Sequence, residues 1–132
     1  MNKITDWQSI SEQSRKNRVP VVIMVDQEDC PYCYRVENEY FAAIFANGEL
    51  SDQALFGKIS IDYGETIVVE GGEAISTREF LDEYNPDFTP TILFLDDKKK
   101  ELVDKIIGLT TPDFYGYYLE AANREAYKKL NY

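Results

Sequence analysis

Histidine is absent from this chain, and only two of its 132 residues are cysteine. Together these shortages weigh against zinc. A structural site wants four ligands, commonly Cys and His, so here carboxylates or a second subunit would have to complete the set. Basic residues are scarce as well, 14 Lys and Arg against 24 Asp and Glu, for a formal net charge of -10. A phosphate backbone is repelled by such a surface, so nucleic acid is not an expected partner, and neither is an anionic membrane. Long apolar runs are also missing. None approaches the roughly 20 residues that span a bilayer, so no membrane insertion is expected. The opening MNKITDWQSI has no continuous apolar stretch of the export-signal kind. Internal repeats and low-complexity tracts are lacking too.

What is present describes a packed α/β protein. Hydrophobic residues make up 44 % and aromatics 14 % of the chain, which argues against disorder. A chain of this length buries roughly two-thirds of its unfolded surface without needing staples. Residues 1–132 are therefore expected to form a single domain, and a monomer.

Local signals order the elements. Thr5-Asp6-Trp7-Gln8 has the capping-box form and predicts a helix from about Asp6 to Lys16. Val19 to Val25 is nearly all apolar and β-branched, a strand buried on both faces. Val36, Tyr40, Phe41, Ile44 and Phe45 recur at helical spacing, and Asn47-Gly48 supplies a stop. Leu55 to Tyr63 reads as a strand, and Thr66 to Ile75 as a small hairpin about Gly71-Gly72. Ser76-Thr77-Arg78-Glu79 is a second capping box, opening a helix through about Tyr84. Thr91 to Leu95 is a strand, Asp96 to Lys100 a polar turn, and Leu102 to Ile107 the expected antiparallel partner. Thr111-Pro112 opens a last helix, with Phe114, Tyr117, Tyr118, Ala121 and Ala122 on one face. Strands alternating with helices and ending in a strand pair predict a mixed sheet.

Both cysteines fall in one short stretch, DCPYCY, between the first strand and the second helix. A structural disulfide over so short a loop removes little entropy from the unfolded chain. A working dithiol has a physical mechanism. Cys30 stands at the cap position, Pro31 fits the first helical position and Cys33 lies one turn in. Backbone N–H groups and the helix dipole lower the pKa of a thiolate at a helix N-terminus. Cys30 is thus the activated sulfur, and Cys33 is near enough to attack a mixed disulfide that Cys30 has formed.

VVIMVDQEDCPYC, GKISID, FTPTILFLD and IIGL ahead of an amphipathic helix extend the signal over nearly the whole chain. With these motifs the chain resembles the thioredoxin-fold thiol–disulfide oxidoreductases. Its pattern is similar to bacterial periplasmic thioredoxin-like proteins, including those associated with sulfur oxidation. The resemblance implies a central mixed sheet flanked by helices, with a small hairpin insertion before a cis-proline. It implies Cys30 as attacking and Cys33 as resolving cysteine, with Pro90 as the cis-proline beside them. It further implies that the Thr89 backbone pairs with a client segment, that Gly108 lets the client approach, and that Lys58 lies near the buried side of the site. Protein thiols and disulfides would be the substrates, with an electron-donor protein and no cofactor or metal. The expected setting is the periplasm, with a signal segment outside the given sequence, or alternatively the cytoplasm.

Departures from the pattern matter as well. The buried aspartate six residues before the attacking cysteine is replaced by Met24, and the preceding tryptophan by Asp29. Asp26 stands two places beyond Met24, with no clear route to the same pocket, which leaves proton transfer to Lys58 or water. CPYC is also the dithiol of glutaredoxins. Those need positive groups for glutathione, yet Glu28 and Asp29 adjoin the motif and Arg35 is the nearby cation. A redox-inactive binding domain of the same fold is a third reading. The hairpin is either a surface ornament or a wall beside a client groove leading to Thr89.

Overall fold

The structure is a computed structural model describing residues 1–46, 48 and 50–131. Its central strand is β1 (Val21–Asp26), buried except at its last residue. It pairs in parallel with β2 (Leu55–Ser60) and antiparallel with β5 (Thr91–Leu95), which carries β6 (Ile106–Ile107) at the edge. The sheet order is β2-β1-β5-β6, a mixed sheet as expected. β-branched and apolar side chains suit this position because both faces are covered.

Alternation along β1 sorts two apolar layers. Val22 and Met24 join Cys33, Val36, Phe41, Phe94 and Leu119 on one face. Val21, Ile23 and Val25 join Trp7, Ile67, Phe80 and Leu93 on the other. The first layer is covered by α2 (Pro31–Val36), which continues in a wider, π-type winding over Glu37–Ala46, and by α4 (Pro112–Asn131). The second is covered by α1 (Trp7–Asn17), α3 (Thr77–Leu81) and the hairpin of β3 (Thr66–Val68) and β4 (Ala74–Ser76).

Several sequence expectations shift. The first helix is capped by Asp6, which accepts from Ser9 N–H at 3.0 Å, not by Thr5. The Thr5 carbonyl instead accepts from Val68 N–H at 2.9 Å, so Thr5 is held extended against the hairpin. Ser76 caps α3 as expected, accepting from Glu79 N–H at 3.1 Å. β2 ends at Ser60 rather than Tyr63. The strand expected over Leu102 to Ile107 is confined to Ile106–Ile107, with one bridge from Leu95 to Glu101. Of the Asn47-Gly48 stop, Asn47 lies outside the described residues. At Gly48 a Cβ would stand 2.4 Å from the Ala43 carbonyl oxygen, a contact only glycine avoids.

The last helix is rotated from its expected face. Tyr115, Leu119, Asn123 and Ala126 are buried, while Phe114, Tyr117 and Tyr118 are exposed. Tyr40 packs against the start of the helix in this orientation. Its hydroxyl donates to the Pro112 carbonyl at 2.9 Å, and its ring meets Tyr115 at 4.9 Å between centroids. The hairpin turns at Gly71 and Gly72, both at positive φ, and buries Ile67 against α1 and α3. It is thus docked on the layer opposite Cys33.

Candidate active site

A left-handed residue, Asp29 at φ 58, turns the chain from β1 into α2. Cys30 follows as the N-cap, with its sulfur accepting from Cys33 N–H at 3.1 Å, and Pro31 opens the helix. Pro lacks the N–H that the first helical position leaves unpaired, so the motif suits a helix start. Cys30 and Cys33 are joined in a disulfide with Cα atoms 5.2 Å apart. Their environments differ. Cys33 is buried at 4 % exposure, whereas Cys30 is partly exposed at the surface.

The remaining sequence-predicted residues fall around the sulfurs. The Thr89–Pro90 bond is cis, and Thr89 Oγ1 donates toward Cys30 Sγ at 3.6 Å. Gly108 N–H donates to the Pro90 carbonyl at 2.8 Å, and Gly108 holds φ 71, a conformation favouring glycine. One chain of contacts therefore links Cys30, Thr89, Pro90 and Gly108. Exposed Tyr32, Phe88 and Ile107, from the same three segments, give that end an apolar fringe. Arg35 is engaged by Glu39 at 2.9 Å.

Behind the disulfide lies a cleft of about 460 Å³, lined by Asp26, Cys30, Cys33, Glu37 and Lys58 among others. Lys58 belongs here as expected. Asp26 does too, which corrects the sequence reading. With a period of two, residues 24 and 26 share a face of β1. Met24 fills the apolar layer, and Asp26, one step nearer the strand end, emerges in the cleft. Its Oδ1 is buried with no hydrogen-bond partner among the described residues. Burial pushes the Asp26 carboxyl above its ordinary range; Lys58 and Lys3 pull it down, while Asp62 and Glu37 add to the rise.

Glu37 also escaped the sequence reading. It stands four residues after Cys33, and that helical spacing, which places both on one face, was the available signal. Its Oε1 accepts from Lys58 Nζ at 3.0 Å and its Oε2 from the Met1 amine at 3.0 Å. Burial works to raise the Glu37 pKa, but these hydrogen bonds outweigh it and hold the carboxyl below its ordinary value. A larger groove of about 810 Å³ between the N-terminal segment, α1 and α2 has no cysteine in its wall.

Comparison with known proteins agrees with this geometry. The family model described as a thioredoxin-like domain matches residues 8–123. The sequence matches no curated protein closely enough to count as a relative. Among solved structures, a Fasciola hepatica thioredoxin aligns at TM-score 0.62 and 20 % identity, covering 95 % of this chain and 99 % of its own. Mitochondrial thioredoxin 3 from Saccharomyces cerevisiae, in its oxidised form, gives 0.61 and 18 %, covering 95 % and 94 %. The oxidised C-terminal domain of DsbD from Neisseria meningitidis gives 0.57 and 12 %, covering 91 % and 98 %. At these identities the structural likeness speaks for the fold alone. Membership rests on the family model, whose match runs unbroken from α1 into α4 and contains both cysteines: this chain belongs to the thioredoxin-like domain family, and its chemistry is thiol–disulfide exchange.

Proposed function

We propose that the protein is a reductase of protein disulfides, with Cys30 as nucleophile and Cys33 as resolving cysteine. The observation that carries this reading is the asymmetry of the pair. Cys30 Sγ is partly exposed at a helix cap, with the Cys33 N–H and the Thr89 hydroxyl directed at it, while Cys33 is 4 % exposed. Both donors favour a thiolate at Cys30 once the disulfide is reduced.

The Cys30 thiolate attacks one sulfur of a client disulfide. A Cys30–client S–S bond forms, and the other client sulfur leaves as a thiolate that takes a proton from water. Cys33 then gives its proton to the Asp26 carboxylate and attacks Cys30 Sγ. The Cys30–Cys33 disulfide forms, the second client sulfur leaves, and Asp26 returns the proton. Two electrons have passed from dithiol to client, and a donor protein with its own dithiol restores them. The Thr89 backbone beside Pro90 would pair with an extended client segment, and Gly108 would leave room for it. Carboxylates at Glu28 and Asp29 disfavour an extreme thiolate at Cys30. The potential should therefore lie nearer about -270 mV than about -120 mV. We also propose, from the resemblance, that the protein acts in the periplasm, and separately that it is a monomer.

Cys33→Ser should accumulate mixed disulfides with clients, and Cys30→Ser few. Faster alkylation of Cys33 than of Cys30 in the reduced protein would reverse the roles. Equilibration against glutathione buffers tests direction: a potential above about -160 mV would make the protein an oxidase or isomerase.

A further inference from the structure

Four charged side chains line the cleft behind the dithiol, Asp26, Asp29, Glu37 and Lys58, and Glu37 pairs with Lys58 through one oxygen and with the Met1 amine through the other. Lys58 enters the cleft shared with Asp26 and Glu37 from β2, where it lies opposite Met24 in register, two residues short of Asp26. Its ammonium goes to Glu37, at 3.0 Å, while Asp26 Oδ1 is buried and has no hydrogen-bond partner among the described residues. Two further charged groups that act on Asp26, Lys3 and Asp62, are engaged elsewhere. Lys3, from the N-terminal segment, is bound to Glu65 at 2.5 Å. Asp62, beyond β2, accepts from Glu28 N–H at 2.9 Å and from the Ser60 hydroxyl at 2.8 Å. After burial, Lys58 is the strongest influence on Asp26.

We propose that Glu37 is a positioning residue for proton transfer at Cys33: it holds the Lys58 ammonium and so keeps Asp26 available as the group that takes and returns the Cys33 proton. A carboxylate bound directly to an ammonium is a weak base. One buried beside an ammonium that is engaged elsewhere takes up a proton more readily, and burial raises the Asp26 pKa in this sense. Glu37 reaches the cleft because it follows Cys33 by one turn of α2, so the helix that presents the resolving sulfur also presents the clamp on Lys58. The proton leaves Cys33 Sγ for Asp26 as the thiolate attacks Cys30 Sγ, and it leaves Asp26 for the departing client sulfur. No other reactant is needed. This inference rests on the reductase reading given above.

The test is the carboxyl titration of Asp26, followed by carbon NMR in the oxidised full chain, alongside the pH profile of single-turnover disulfide reduction. In Glu37→Gln, Lys58 is released to Asp26, and the Asp26 midpoint should fall by about one pH unit, the usual effect of an opposite charge at contact. The exchange profile should shift acidward with it. Glu37→Asp, one methylene shorter, should shift less, and it stands in if the Gln variant does not fold. In a Lys58→Met background the Glu37→Gln shift should vanish, which separates a hold on Lys58 from the bare charge of Glu37. An unmoved midpoint in Glu37→Gln overturns the proposal, as does a shift that persists without Lys58. A midpoint that moves while the exchange profile stays fixed also overturns it, because Asp26 then takes no part in the proton transfer. Failure of the reductase reading looks different: the unaltered protein would reduce no disulfide at any pH, whatever Asp26 did.

Discussion

The two faces of the central sheet are made from the same strands, yet they do different work. The face under α1, α3 and the hairpin is filled by Trp7, Val21, Ile23, Val25, Ile67 and Phe80. Its buried polar groups serve structure: the Thr77 hydroxyl donates to the Ser60 carbonyl, and that of Ser14 to the Val19 carbonyl. The face under α2 and α4 is as apolar around Met24 and Phe94, but it ends in the cleft of Asp26, Lys58, Glu37 and the two sulfurs. β1 supplies both by simple alternation, and one residue at its end, Asp26, brings a carboxylate into the cleft beside the sulfurs. A buried carboxylate is costly in a closed layer, and it is tolerated where the layer opens toward water.

Mutations should separate the faces sharply. The largest effect belongs to the reactive one. Cys30→Ser should abolish disulfide reduction in a turnover assay while the reduced variant unfolds at nearly the same urea midpoint as the reduced parent. A residual rate above that of the Cys30/Cys33 double variant would break the contrast. Next comes the structural face. Phe80→Ala removes a fully buried ring packed on Trp7 at 5.5 Å between centroids, at a cost of about 3–5 kcal/mol by urea unfolding. The exchange rate per folded molecule should hold. A matching loss of exchange at full folding would show that the faces are coupled.

Thr89→Val should have a smaller effect. It preserves shape but removes the hydroxyl at 3.6 Å from Cys30 Sγ, so exchange near neutral pH should slow about three- to tenfold, the worth of one hydrogen bond. The thiol titration of Cys30 should move upward in parallel. Smallest is a pH-dependent change in stability from the cleft carboxylates, and its sign is set by their opposite shifts. The Asp26 pKa is raised in the fold, so its favourable contribution is complete below its ordinary value of 3.8 and is lost as pH rises through the folded value. Asp26→Asn should therefore gain stability over the parent at neutral pH, and the gain should shrink in acid. The Glu37 pKa is lowered, so its contribution is present above 4.5 and is lost as pH falls through the folded value. Urea midpoints of the parent, Asp26→Asn and Glu37→Gln across pH 3–8 would check both signs, and parallel curves would refute them.

Much of this protein was legible in short stretches of sequence. DCPYCY carries its own geometry, because N-cap, proline and one helical turn are local matters that bring the sulfurs to bonding distance. The Ser76 cap, the Gly71-Gly72 turn and the doubly buried β1 are local in the same way. Thr89, Pro90, Gly108 and Lys58 were placed through resemblance, since nothing nearby in the chain ties them to Cys30. Tertiary structure decided the rest. The face that α4 buries comes with long-range contacts such as that of Tyr40 with Pro112, 72 residues away. The cap of α1 moved to Asp6 because a distant hairpin engaged Thr5. The place of Asp26 was within reach of the period-two rule, but its open end and missing partner were not. They depend on tertiary packing, in which Lys58 on β2 meets Glu37 in the continuation of α2. Propensity and periodicity act over a few residues, whereas the partner of a buried charge is settled by whichever groups the packed chain brings within about 4 Å.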